Sequence, residues 1–381
     1  MAPAGGATMR LTRFAPPDFS VTLTGRRRER GFTLVELLVV MAIVGAMVGL
    51  LLPAVQAARE SARRIQCASH MKNVALAVLD FETSERALPA AGLARTRRDT
   101  QYDVDIFNPF GGRQISWIVA ILPQLEQAAL FDRFDLERPI YAQAGDPQAA
   151  HVAILQCPSD DASNRWHDML RPGAGVQYVK LAKGNMAAYV SPFHVDLQYL
   201  YPGALIGQPQ PLRSIPDLSS TLLISEVRTL DHESDERGAW ALAWNGASLL
   251  AFDMHPRGWL GRSEGTGEGD QYQSENRAAY VPDPDSLGEA QPPNNLGPNF
   301  DTLKYCTNTA TSPRQAAFDA GMPCVLHSAQ IGVGVAGHMS AAPRSLHPGG
   351  VNAAFLDGHV TFLPDDIDEI AMAHMVSVTD N

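Results

Sequence analysis

The residue types in this chain that could do chemistry fall in four places. His347, Asp357 and His359 lie close together in HPGGVNAAFLDGHVTFL, and two imidazoles with a carboxylate are a set that could hold a metal or move a proton. Ser263 sits in GRSEG, Gly261 to Gly265, which has the letters of a nucleophile elbow. Cys67, Cys157, Cys306 and Cys324 are four thiols that could pair or ligate. Glu36 is a carboxylate inside an apolar run, where a charge costs a few kcal/mol unless it has a partner or a task.

The elements that must position these groups narrow the choices. VNAAFLDGHVTFL reads as a β-hairpin, with Asp357 and Gly358 as a two-residue turn and Gly349 and Gly350 as a tight turn before the first strand. Asp357 is then better explained as a turn former than as a ligand, and the hairpin 347–363 as structural. A nucleophile elbow needs a buried strand before it and a helix after it. GRSEG lies instead in a Gly-, Pro- and acid-rich stretch, 261–299, that reads as a long surface loop. No other serine comes with a histidine and acid frame, so the chain is expected not to be an enzyme.

The cysteines lack C-x-x-C spacing, which excludes a zinc ribbon and a thioredoxin-type motif. Cys306 and Cys324 are near neighbours and the better guess for a disulfide. A bridge from Cys157, in LQCPSD, to Cys67 would tie the body to a helix, and unpaired buried thiols are the competing reading. Calcium is the one cofactor with candidate acids, Asp283 and Asp285 in PDPDS and the run Asp365 to Glu369. Neither has the ligand spacing or glycine of an EF-hand, and a solvated acidic surface is the default; no other cofactor is expected.

Glu36 belongs to RRRERGFTLVELLVVMAIVGAMVGLLLP, Arg26 to Pro53. Phe32 to Leu52 is about as long as a helix needs to be to cross a bilayer, and Arg26, Arg27, Arg28 and Arg30 would hold its N-terminal side in the cytoplasm. The net charge of −11 hides an asymmetry: residues 1–30 carry +4, leaving −15 for the rest. That split fits a basic cytoplasmic leader and an acidic exported body, and gives no footprint for nucleic acid. A signal anchor, or a secretory signal cut near AVQA, Ala54 to Ala57, would satisfy the length but not explain Glu36.

From Ala54 the chain runs without Gly or Pro to Pro89, so the helix is expected to continue past the membrane. Cys67, Met71, Val74, Val78 and Phe81 recur at helical spacing and predict a buried stripe. LPQLEQAALFDRFD reads as a short helix with Pro123 in its first turn. QYVKLAKGNMAAYV, STLLISEV and GAWALAW read as strands.

GFTLVELLVVMAIVGAMVGLLLPAVQAARESARR resembles the N-terminal signal of type IV prepilins and type II secretion pseudopilins. The resemblance implies cutting by prepilin peptidase between Gly31 and Phe32, N-methylation of Phe32, and pairing of Glu36 with the new ammonium of a neighbouring subunit. Pro53 matches a proline that many pilin helices carry near the membrane exit. CASHMKNVALAVLDFE, ISWIVAILPQLEQAALFDRFDL, LQCPSD, RSIPDLSSTLLISEV, GAWALAW, GPNFDTLKYC and HPGGVNAAFLDGHVTFL follow in the order found in a bacterial family of prepilin-like proteins, DUF1559. Its terminal H-X9-DG motif is matched by His347, Asp357 and Gly358. A leader of 31 residues is long for such a signal, and Met9 is a second candidate start.

The expectation is therefore an α+β, pilin-like fold: a leader 1–31, a membrane half-helix 32–53, its extension 54–85, and a β-rich periplasmic or extracellular body 86–381 with an antiparallel sheet. The function implied is a pseudopilin-like structural subunit of a type II secretion or type IV pilus-like system. It would be a single-pass inner-membrane protein, partnered by prepilin peptidase and by pilin-like subunits or itself. The alternative is a monomeric membrane-anchored surface binding or adhesion protein.

Overall fold

The computed structural model describes residues 32–99, 104–173, 176–253, 290–297, 301–306, 312–326 and 339–378. Gly31, the arginines before it, GRSEG and Asp283 and Asp285 lie outside them, as does most of the stretch 261–299. The chain divides into two compact units, Met1–Val55 and Gln56–Asn381.

Helix α1 spans Leu34–Glu85, with Pro53 inside it. In the first unit its large apolar side chains stand exposed, Leu50 at 79 %. Among the described residues this is the one helix long and apolar enough to cross a membrane. Its start is closed by a reciprocal pair: the Glu36 amide donates to Thr33 Oγ1 at 3.2 Å and the Thr33 amide donates to Glu36 Oε2 at 2.9 Å. T-x-x-E is a capping box, and it satisfies two backbone donors that the helix itself leaves open. In the second unit Cys67, Met71, Val74 and Val78 of the expected stripe are buried, Ala75 and Ala77 are buried with them, and Phe81 is half-buried at the edge.

The second unit is β-rich. After α1 come β1 (Gly92–Asp99), β2 (Val104–Ser116), the one-turn helices α2 (Trp117–Ala120) and α3 (Ala128–Phe131), β3 (Trp166–Leu170), β4 (Tyr178–Ala182), β5 (Met186–Ser191), β6 (Leu222–Glu226) and β7 (Leu249–Ala251). Then follow β8 (Asp301–Leu303), α4 (Ser312–Asp319), β9 (Cys324–Leu326), β10 (Gly350–Phe355), β11 (Val360–Pro364) and α5 (Glu369–Val376). The main sheet has the order β11-β10-β6-β5-β7 and is antiparallel except for β5 with β7; β8 and β9 also pair in parallel. The expectation of an antiparallel sheet holds for its first four strands; β7 joins it in parallel, and β8 with β9 forms a separate short parallel pair.

Side chains alternate across this sheet, as strand geometry requires. Ala188, Val190, Ile224 and Ala354 share a core with Met71, Val74 and Val78 of α1. Ala187, Tyr189, Leu222 and Phe355 share the other with Met372, Ala373 and Val376 of α5. Both faces are covered, so β5, β6 and β10 are buried along their whole length, with Ser225, Glu226 and Asn352 as buried polar positions among apolar ones.

Three local expectations need correction. GAWALAW is not a strand: it is a buried run of turns, and Gly238 at φ +78° opens it while Gly246 at φ +71° follows it. Its Trp240 and Trp244 indoles donate to the Ala150 and Pro109 carbonyls, so burial on all sides imitates strand composition. LPQLEQAALFDRFD breaks into a 3₁₀ turn at Pro123–Leu125 and α3, because Glu126 takes φ +61° between them. In the terminal hairpin, Gly358 donates to the Phe355 carbonyl and Phe355 donates to that of His359, leaving three residues in the turn instead of two. Gly358 holds the left-handed position at φ +84°.

Candidate functional site

His347 marks the place where the longest-range chemistry of the body converges. It precedes β10 in a segment fixed by a buried ion network. Arg344 Nη2 lies 2.9 Å from Asp301 Oδ1, Arg237 bridges Asp301 and Asp235 at 2.9 and 2.6 Å, and the Arg344 amide donates to the Glu226 carbonyl. Ser345 Oγ donates to the Gly350 carbonyl and accepts from the His347 amide, which sets the approach of the imidazole.

The ring lies between two carboxylates. Its Nδ1 is 2.6 Å from Glu60 Oε1 on α1, and its Nε2 is 3.2 Å from Glu226 Oε1 at the end of β6. Glu226 is held in turn by the amide and side-chain nitrogen of Asn352 on β10, at 2.7 and 3.0 Å. Glu60 also accepts from Arg63 and from Ser159 Oγ. Burial works against protonating His347, but the hydrogen bonds and charges of Glu226 and Glu60 outweigh it and hold the imidazolium above the usual histidine range. Glu60 is held below the usual carboxylate range: its partial burial is outweighed by hydrogen bonds from His347, Arg63 and Ser159 and by the charge of Arg63.

Beside the ring runs a disulfide between Cys67 of α1 and Cys157, with Cα atoms 4.9 Å apart. His347 Nε2 is 3.5 Å from Cys157 Sγ. The turn carrying Cys157 is framed by Asn185, whose Oδ1 accepts from the Cys157 amide, and by Asp160, which accepts from Asn185, Arg165 and the Thr229 amide. This is the turn expected of LQCPSD. His70, one helical turn beyond Cys67, meets the Gln156 carbonyl at 2.9 Å. Helix α1 is thus joined to the body by one covalent bond and a row of polar contacts. Imidazole and acids do converge here, but on one another and on α1, and the cleft beside them is too tight to admit a water molecule.

The other candidates fall elsewhere. Asp357 pairs with His359, 2.5 Å from its Nδ1, and neither meets His347, so the three do not form one ligand set. Gly349 takes φ +84°, as a tight turn requires. Cys306 and Cys324 are joined by a second disulfide with Cα atoms 6.1 Å apart. Asp365 accepts from Asn294, and Asp368 caps α5 by accepting from the Ala371 amide. Phe32 is exposed at the start of the apolar helix, and Glu36 closes the capping box. Sequence reasoning missed Glu60 and Glu226. Both lie in stretches read correctly as helix and strand, but 287 and 121 residues separate them from His347, and no periodicity pairs residues at that range.

Residues 56–369 match the family described as "Protein of unknown function (DUF1559)", and residues 26–52 match the "Prokaryotic N-terminal methylation motif". Neither the curated proteins nor the solved structures contain a match to this chain. The methylation motif marks a type IV pilin-like protein that passes through prepilin processing.

Proposed function

The chain belongs to the DUF1559 family, and from that premise we propose that it is a pseudopilin-like structural subunit. Prepilin peptidase cuts it after Gly31 and methylates Phe32. The mature helix then anchors in the inner membrane with its N-terminal side toward the cytoplasm. It assembles with other pilin-like subunits, or with itself, in a type II secretion or type IV pilus-like machine. The body stands on the periplasmic or extracellular side.

The observation that carries this reading is the match over residues 26–52, set on a helix whose apolar side chains are exposed from Phe32 to Leu52. Such a surface needs lipid or other apolar helices around it. Within either, the ammonium of Phe32 and the carboxylate of Glu36 are each expensive alone and favourable as a pair. Freed of the leader, the Phe32 amine lies next to Thr33, which Glu36 already contacts within one chain, and a neighbouring subunit can offer the same carboxylate. The polar convergence at His347 supports a structural role, because His347 and Ser159 contact Glu60 of α1 and Cys157 is bonded to Cys67 of α1, which holds the helix to the body.

The test is mass spectrometry of the N-terminus of the membrane-extracted protein, from wild type and from a strain lacking prepilin peptidase. A methylated Phe32 terminus that is absent from the second strain is the expected result. A leader left intact in wild type, or a terminus near Arg59, would replace the subunit reading with an anchored or secreted body. Glu36→Val separates assembly from anchoring: the cut should persist while crosslinked multimers disappear, whereas a monomeric anchored binder would be unaffected.

A further inference from the structure

The disulfide beside His347 belongs to a set of four potential metal donors. One ligand atom from each of Cys67, Cys157, Glu226 and His347 can be chosen so that all lie within 4.8 Å of one another, and all four residues are buried. They come from α1, the turn before β3, β6 and the segment before β10, so the fold assembles them and no sequence motif does. Two sulfurs, one imidazole and one carboxylate are a donor set that suits a tetrahedral zinc-type ion.

The spacing fits as well. Zinc holds thiolate at about 2.3 Å and imidazole at about 2.0–2.1 Å, which puts tetrahedral neighbours on the order of 3.2–3.8 Å apart. His347 Nε2 already stands 3.5 Å from Cys157 Sγ and 3.2 Å from Glu226 Oε1. The two sulfurs, bonded to each other, stand closer than such a site allows and must separate on reduction. The outer contacts are those of a ligating histidine: Nδ1, the nitrogen away from the site, is gripped by the Glu60 carboxylate at 2.6 Å, which fixes the ring and directs Nε2 inward. Glu226 is oriented likewise by two hydrogen bonds from Asn352.

We propose that Cys67, Cys157, Glu226 and His347 form a zinc-type metal site that alternates with the Cys67–Cys157 disulfide. In the oxidised chain the two sulfurs are bonded to each other and the site is closed to metal. A dithiol reductant gives two electrons and two protons to the S–S bond, becomes a disulfide itself, and leaves two thiols. The ion then binds both sulfurs as thiolates and the deprotonated Nε2 of His347, releasing the two thiol protons and the Nε2 proton of the imidazolium, with Glu226 completing four-coordination. The fastening of α1 to the body is kept in either redox state, by a covalent bond in one and by a metal in the other.

The experiment uses the full chain in detergent, oxidised or reduced by a phosphine under argon, then given zinc and desalted for elemental analysis. One zinc per chain in the reduced protein and none in the oxidised protein is the expected result. Cobalt in place of zinc should give a thiolate-to-metal charge-transfer band and the visible spectrum of a tetrahedral site. Cys306→Ser with Cys324→Ser should leave both readouts unchanged, while Cys67→Ser abolishes the band. Glu60→Gln, which touches no metal, should weaken binding about 10–100-fold while circular dichroism stays that of wild type. A reduced and folded chain that takes up no metal would overturn the proposal. So would zinc bound equally by the oxidised chain, or uptake that survives Cys67→Ser and is lost with the Cys306 and Cys324 pair.

Discussion

At the scale of single residues, His347 bridges two acids, Glu60 and Glu226, of which Glu60 is also paired with Arg63. Replacing it by Leu would leave Glu226 buried with no positive partner, and the expected loss is about 3 kcal/mol of stability, read from urea or thermal unfolding. Gly358→Ala should cost about 1 kcal/mol, because φ is +84° there, and the added methyl would also meet Leu76 Cδ2 at 3.3 Å. Acid sensitivity has its own residue. His167 is fully buried, with Nδ1 at 3.0 Å from the Glu233 carbonyl, and burial first, then the nearby charge of Lys183, lower its pKa to about 3. The unfolded chain therefore binds more protons than the folded one between about pH 6.5 and 3, and stability falls as pH drops through that window. His167→Phe should flatten this part of the stability profile, which unfolding midpoints measured from pH 7 to 4 would reveal.

At the scale of elements, α1 is held by its partners at several levels. Its stripe from Cys67 to Val78 is buried on the sheet, and Arg64 lies 4.7 Å from the centre of the Phe362 ring on β11. The Cys67–Cys157 bond closes a separation of 90 residues and the Cys306–Cys324 bond one of 18. On chain entropy alone these are worth about 4.6 and about 3.2 kcal/mol. Cys67→Ser should therefore lower the unfolding temperature more than Cys306→Ser does, which calorimetry of the two variants would show. How much of this was readable in advance follows physical lines. The helix and its stripe were legible, because a 3.6-residue period needs no knowledge of the partner. The strands at 178, 186 and 222 were legible for a similar reason. GAWALAW was not, since two tryptophans buried among turns have the same composition as a strand. The motif histidine was visible as a letter, but its carboxylate partners depend on how α1, β6 and the segment before β10 come together, which only the folded body decides.

At the scale of the whole molecule, the second unit has its own cores on both faces of the main sheet and contains both disulfides. A chain beginning at Gln56 is expected to fold and stay soluble without detergent, as a single cooperative transition by circular dichroism with both disulfides intact by mass spectrometry. The first unit, with its exposed apolar surface, should then account for all detergent dependence of the full chain. Traction applied along α1 from its N-terminal side reaches Glu60 and then Cys67 before the buried stripe at Met71 to Val78. At Cys67 a covalent bond passes the force into Cys157 and the turn held by Asn185 and Asp160, so the stripe is spared the shear that would peel it from the sheet. In a single-molecule pulling trace the oxidised body should rupture at a higher force than the reduced one, with the residues after Cys67 the last of α1 to come away.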